Sequence, residues 1–241
     1  MDGSRGVAVM TVCRRESSNR KAGGGRRFGG VLLIVLAVLF VWSARAPGLT
    51  SVSTETKISR IKDFRKRRNE FLKNHPRSPL SARDRERFQG LDVYPINLKY
   101  VFVGKIERYR LNIHNPDYYA TFPTNKGTNK RYIRYGRFSF ELEGVTYTLQ
   151  LYKSILSDYL FVPFRDKTNG KETYRLGRYL NAEIFPGYYT IIDFNMAYNP
   201  NCAFNENSVC PIPPEENYLP VEIKAGEKRY RSPSHPREET D

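Results

Sequence analysis

From Val31 to Trp42 the chain carries no polar residue, and between Phe28 and Ala44 only Ser43 interrupts the apolar run. Crossing the hydrocarbon core as a helix needs ~20 residues, with ~17 as the lower limit, so this run is just long enough. Arg26-Arg27 precede it and charge is sparse immediately after it. That asymmetry predicts the N-terminus inside and the remainder outside. Residues 29–46 are therefore read as a transmembrane signal anchor behind a basic cytoplasmic leader, 1–28. Ala44-Arg45-Ala46 also fits a small-x-small cleavage site, which would release a secreted protein. Pro47 would follow that cut and hinders it, because its ring fixes the backbone.

A different pattern follows the linker at 47–56. Ile58, Ile61, Phe64, Phe71 and Leu72 recur near helical spacing, predicting an amphipathic helix to about Lys73 that Pro76 stops. Ser81 before Ala82-Arg83-Asp84-Arg85-Glu86 predicts a second, short helix with a serine cap. From Val93 the period changes to two. Tyr100 and Phe102, then Tyr109, Leu111 and Ile113, alternate with polar residues, as do Phe138, Phe140 and Leu142. Arg131–Leu142 and Val145–Tyr152 read as a β-hairpin turning on Glu143-Gly144. Tyr159–Phe164, Tyr188–Phe194 and Leu219–Ile223 have strand length and composition. The expected fold is mainly β: an antiparallel sandwich or partly open barrel of about seven or eight strands. It spans 57–228, after one transmembrane helix and one or two short amphipathic helices, with a disordered polar tail at 229–241.

Composition adds to this picture where charge is concerned. The net charge is +15, but residues 1–28 hold seven Lys/Arg against two acids and residues 57–89 hold twelve against four. Gly90 to Ile223 carries fifteen basic and fourteen acidic residues. A nucleic-acid reader carries its basic patch on the folded body, so no nucleic-acid partner is expected. The basic excess at 57–89 instead suits anionic lipid headgroups beside the membrane that holds residues 29–46.

The usual catalytic signatures are missing. His75, His114 and His235 stand in no triad or metal-ligand spacing, and there is no glycine-rich phosphate loop or paired CxxC; no metal or cofactor is identified. Two stretches are dense in polar and aromatic residues: Phe164–Leu180, and Asp193 through Asn217. They supply the candidate ligand-binding residues Arg165, Asp166, Thr168, Tyr174, Arg178, Asp193, Asn195, Asn199, Glu216 and Asn217. The same polar groups also suit turns, where Asn and Asp satisfy the backbone. Cys202 and Cys210 enclose seven residues, and an outside location favours a disulfide between them.

The two dense stretches resemble the bacterial and archaeal domain of unknown function numbered 1684. The matching residues include Phe161-Val162-Pro163-Phe164-Arg165-Asp166-Lys167-Thr168-Asn169-Gly170, Gly177-Arg178-Tyr179-Leu180, Asp193-Phe194-Asn195, Ala197-Tyr198-Asn199-Pro200, Cys202-Ala203, Pro213-Pro214 and Leu219-Pro220-Val221. Ser78-Pro79-Leu80 and Phe88-Gln89-Gly90-Leu91 are similar as well. The likeness covers about 57–228; Arg175-Leu176 departs from it where small residues are more usual. It implies a domain boundary and no activity. Three functions therefore stand open. One is a binding module for a small anionic or carbohydrate ligand, with Arg165 and Arg178 as anion holders. Another is a structural or interaction component of the cell envelope. The last is a hydrolase using Asp166, Asp193, Glu216 and Tyr174 as acid/base groups.

Overall fold

The computed structural model describes residues 53–154 and 157–233. The expected leader, the anchor at 29–46 and most of the linker lie outside the described residues. Among the described residues no helix is long and apolar enough to cross a membrane. The fold is mainly β with few helices. Helix α1 runs Thr54–Asn74 and α2 runs Ala82–Arg87. Nine strands follow among the described residues: β1 Val101–Lys105, β2 Glu107–Arg108, β3 Tyr119–Pro123, β4 Asn129–Leu142, β5 Val145–Lys153, β6 Leu160–Asp166, β7 Arg178–Ala182, β8 Tyr189–Asp193 and β9 Tyr218–Leu219.

The larger sheet has the order β2-β4-β5-β6-β7, with β3 also on β4 and β9 lying parallel to β6. A separate ribbon pairs β1 with β8. The β4–β5 hairpin turns as expected on Glu143-Gly144, both left-handed at φ 54° and 78°; two such residues define the hairpin turn whose twist matches its strands. Gly136, Phe138, Phe140 and Leu142 are buried while Arg137, Ser139 and Glu141 are exposed, so the period of two is real. Phe138, Phe140, Leu149, Leu151, Leu160, Val162 and Phe164 pack with Ile192 and Phe194 in the main core. Each such side chain contributes ~1.5–3 kcal/mol by leaving water. Ala120, Phe122 and Tyr152 form a second cluster with Tyr132 and Phe161.

Three expectations shift. Tyr109–Ile113 alternates but is not a strand, because Asn112 and Asn115 accept hydrogen bonds from backbone amides two residues ahead and bend the chain. The last strand, β9, stops at Leu219 rather than reaching Ile223. Strands β3 and β7 were not foreseen. Both helices form where expected, capped by Ser53 and Ser81. Helix α1 begins inside the expected linker and turns Ile61, Arg65, Arg68 and Leu72 inward, leaving Lys62, Lys66, Arg67 and Lys73 outward.

Candidate functional site

Arg178 opens β7, and its side chain is fully buried (0% exposed). Gly177 makes that placement feasible: at φ 101°, a Cβ there would lie 2.6 Å from the Phe164 carbonyl oxygen. The guanidinium lies over the Phe164 ring, 5.2 Å from its centre. Its Nη2 donates to Asp166 Oδ2 at 2.5 Å and to the Ile223 carbonyl at 2.9 Å. Its Nη1 donates to the carbonyls of Ala225 and, at 3.4 Å, Glu227. Asp166 Oδ1 in turn accepts from the Thr168 amide at 2.7 Å and from the Thr168 hydroxyl. Thr168 meets Thr173 at 2.8 Å, and Asn169 donates to the Tyr174 carbonyl at 3.0 Å. Arg178 therefore acts as a clasp. It ties the 166–174 turn to the 223–227 segment, which lies more than forty residues downstream.

A second group secures the same segment from the other side. Buried Glu227 accepts from Arg68 Nε at 2.9 Å and from the Asn199 amide at 2.8 Å. Asn199 donates to the Lys228 carbonyl at 2.7 Å. Burial raises the Glu227 carboxyl above the usual range, with Arg68 and the Asn199 amide opposing that shift. Asp193 is raised for the same reason, opposed by hydrogen bonds from Asn195 and by Arg60 and Arg65. Asp193 Oδ1 accepts from the Asn195 amide and side chain, both at 2.9 Å. Asn195 exchanges hydrogen bonds with the Asn97 backbone at 2.8 and 2.9 Å.

The remaining candidates sit elsewhere. Asn217 fills a gap in the sheet: it accepts from the Gln150 amide at 2.7 Å and donates to the carbonyls of Gln150 and Pro163. Glu216 accepts from Arg134 at 2.7 Å and from the buried Tyr152 hydroxyl. Arg165 pairs with Glu215 at the surface. Cys202 and Cys210 are free, buried thiols, with the Cys202 amide 3.1 Å from Cys210 Sγ and the Tyr174 hydroxyl 3.5 Å from Cys202 Sγ. The neighbouring Cys210 thiol and Tyr174 hydroxyl stabilise a Cys202 thiolate and lower its pKa, while Cys210 is raised. Among the described residues no three His, Cys, Asp or Glu side chains gather to hold a metal.

The structure thus brings Arg178, Asp166 and Thr168 together, and Asp193 with Asn195, as internal hydrogen-bonded groups. What it opens instead is a cleft of about 390 Å³ that the sequence did not single out. Lys171, Lys228, Arg229 and Arg231 line it with Asp92 and Glu172. The clasp delimits this cleft, because the Lys228 amide donates to the Asp92 carbonyl and the Arg229 amide to the Glu172 carbonyl. The signal was present in the Lys228-Arg229-Tyr230-Arg231 run, which falls at the boundary of the expected tail.

The sequence profile of one family matches residues 86–228, more than half of the chain. The chain belongs to that family, described as Protein of unknown function (DUF1684). The likeness read from the two dense stretches is thereby met, and both stretches lie inside the DUF1684 match. Helix α1 precedes it. The chain is also similar to the solution NMR structure of the uncharacterized protein from gene locus rrnAC0354 of Haloarcula marismortui, with a TM-score of 0.58 and 30% identity. That similarity covers 73% of this chain and 95% of the other. No curated protein matches the chain.

Proposed function

We propose that this DUF1684 domain is a binding module for a small anionic ligand, displayed outside the cell membrane and held there by residues 29–46. The observation that carries the reading is the cleft. Lys171, Lys228 and Arg229 outnumber Asp92 and Glu172, and Asp92 already faces Lys228 at 3.4 Å while Glu172 faces Lys224 at 3.4 Å. The surplus charge suits phosphate or carboxylate groups. In this reading Arg178, Asp166 and Thr168 position the walls rather than touch the ligand. The hydrolase reading finds less support, since Asp166, Asp193 and Glu216 are each engaged by internal donors. The outward Lys62, Lys66, Arg67 and Lys73 of α1 favour a surface of anionic lipid, with the N-terminus inside and the finer architecture a partly open barrel or sandwich. In an oxidising compartment Cys202 and Cys210 would form a disulfide by exchange with a disulfide oxidant, the two thiols giving up two electrons and two protons.

Calorimetric titration of the full-length protein with pyrophosphate tests the cleft. The wild type is expected to bind, and Arg229→Ala to bind about tenfold more weakly, as losing a charge-assisted hydrogen bond costs ~1.5–3 kcal/mol, with an unchanged melting temperature. No binding by the wild type, or equal binding by both, would overturn the assignment. Mass spectrometry of the mature N-terminus tests the anchor: a start at Pro47 means a secreted protein.

A further inference from the structure

Among the described residues, two other than glycine have a left-handed backbone, Glu143 and Tyr188. Glu143 is explained by its hairpin turn. Tyr188 also sits in a tight turn, but there a bulky aromatic residue takes the left-handed position. It ends the tight Phe185–Tyr189 turn at φ 63°, directly after Gly187 at φ 74°. That position accepts Gly or Asn without strain and penalises a bulky aromatic residue. Yet the Tyr188 side chain remains 45% exposed, so its burial does not offset the strain. Strain held at a surface aromatic residue points from the outlier toward a function.

The surroundings of Tyr188 show what it holds. The Arg108 guanidinium lies near two rings, 4.7 Å from the centre of Tyr135 and 5.0 Å from that of Tyr188. Tyr135 packs against the main core and sits at the β4 bulge between Arg134 and Gly136. Gly136 lets β2 approach so closely that a Cβ there would lie 2.5 Å from the Glu107 carbonyl oxygen. Arg108 is thus set on a rigid ring by the backbone beneath it and covered by a ring on the strained turn. Its guanidinium donates a long hydrogen bond, 3.3 Å, to the Tyr188 hydroxyl. Glu107, its neighbour, is taken by Arg137 at 2.7 Å. Among the described residues no carboxylate stands within ion-pair distance of Arg108.

We propose that Arg108, Tyr135 and Tyr188 form a binding site for an acidic sugar unit of a polysaccharide. Held near both rings, with one N–H on the Tyr188 hydroxyl, the guanidinium keeps its remaining N–H donors for a ligand. That planar fork matches a carboxylate in two-pronged fashion, which an ammonium cannot reproduce. The exposed Tyr188 ring supplies the flat apolar surface on which the C–H face of a pyranose rests. The site is separate from the Lys228–Arg231 cleft and does not depend on it.

The test titrates the full-length protein with trigalacturonic acid at 0.15 M salt, beside a neutral dextran trimer and inorganic phosphate. The acidic trimer is expected to bind at least tenfold more tightly than either control. Arg108→Lys keeps the charge and is expected to lose at least tenfold in affinity with an unchanged melting temperature. Tyr188→Gly relieves the backbone and is expected to abolish binding while raising the melting temperature by about 2–4 °C. Arg229→Ala, aimed at the cleft, is expected to leave trigalacturonate binding as it was. Absence of wild-type binding, or equal binding of phosphate, would overturn the acidic-sugar assignment. So would unchanged affinity in Arg108→Lys, or a Tyr188→Gly protein that is destabilised and still binds.

Discussion

Replacing Arg178 with alanine tests the clasp most directly. The substitution removes a fully buried guanidinium that spans Asp166 and the carbonyls of Ile223, Ala225 and Glu227. Asp166 is left as a buried carboxylate with only the Thr168 donors. Taking one partner from a buried ion pair costs ~3–5 kcal/mol, and the orphaned carbonyls bring the total to about 4–6 kcal/mol. A domain of ordinary stability has ~5–15 kcal/mol to lose, so most of the margin disappears. In urea, with a slope of ~2 kcal/mol per molar, the midpoint should fall by about 2–3 M at pH 7. Arg178→Lys keeps the charge but not the fork and should lose roughly half as much. Asp166→Ala is expected to be less than additive with Arg178→Ala, since each removes the same pair. Because the clasp also sets Lys228 and Arg229 in place, pyrophosphate affinity should fall together with stability. A loss below 1 kcal/mol, or lost binding at unchanged stability, would refute the argument and make Arg178 a ligand contact.

Further predictions concern backbone, pH and redox state. Gly226→Ala should destabilise by more than ~2 kcal/mol, because Gly226 has φ 79° and a Cβ there would lie 2.6 Å from the Ala197 carbonyl oxygen; chemical unfolding would measure it, and a near-neutral result would contradict the packing. Asp193 is raised by burial, so the folded state holds this proton more tightly than the unfolded chain. Its contribution is present below the unfolded value of ~4 and is lost as pH rises through the higher folded value. Asp193→Asn does not titrate, so its melting temperature relative to wild type should rise from pH 4 to pH 7; a flat or falling difference would count against the burial argument. For the cysteines, dithiothreitol should lower the stability of the oxidised protein by about 2–3 kcal/mol, the entropy of so short a loop. Alkylation followed by mass spectrometry would show whether both thiols were protected beforehand, and full labelling of both would mean no disulfide.

The parts of the fold that were legible in the sequence share a local cause. The β4–β5 hairpin was readable because one face is buried and the other is wet from Gly136 to Leu142, with the turn written as Glu143-Gly144. Helix α1 announced itself through the spacing of its apolar residues and α2 through its serine cap. Strand β7 was hidden because its first residue, Arg178, carries a charge, and a buried charge reads as surface until its partners are known. Those partners are Asp166 and the carbonyls at 223–227, and a carbonyl leaves no mark in the sequence. For the same reason Asn217, Asn195 and Arg178 look like ligand holders in the sequence, whereas their partners belong to the chain. The inward turn of Arg65 and Arg68 was masked likewise, since a basic run on a helix suggests solvent. The cleft was overlooked because its Lys228–Arg231 wall resembles the start of a tail.

Helix α1 also has a mechanical consequence. Its attachment to the β-domain is distributed along its length: Arg60 to Glu183 at 3.0 Å, Arg68 to Glu227 at 2.9 Å, with Ile61 and Leu72 buried in between and beyond. Tension applied at Ser53 would not stretch a slack tether. It would load the helix in shear against the domain and pass through Glu227 into the segment that Arg178 grips. A pull on the chain ahead of Ser53 would thus be met first by Arg60 and Glu183 and then reach the wall of the cleft through Arg68 and Glu227, making the cleft width sensitive to force.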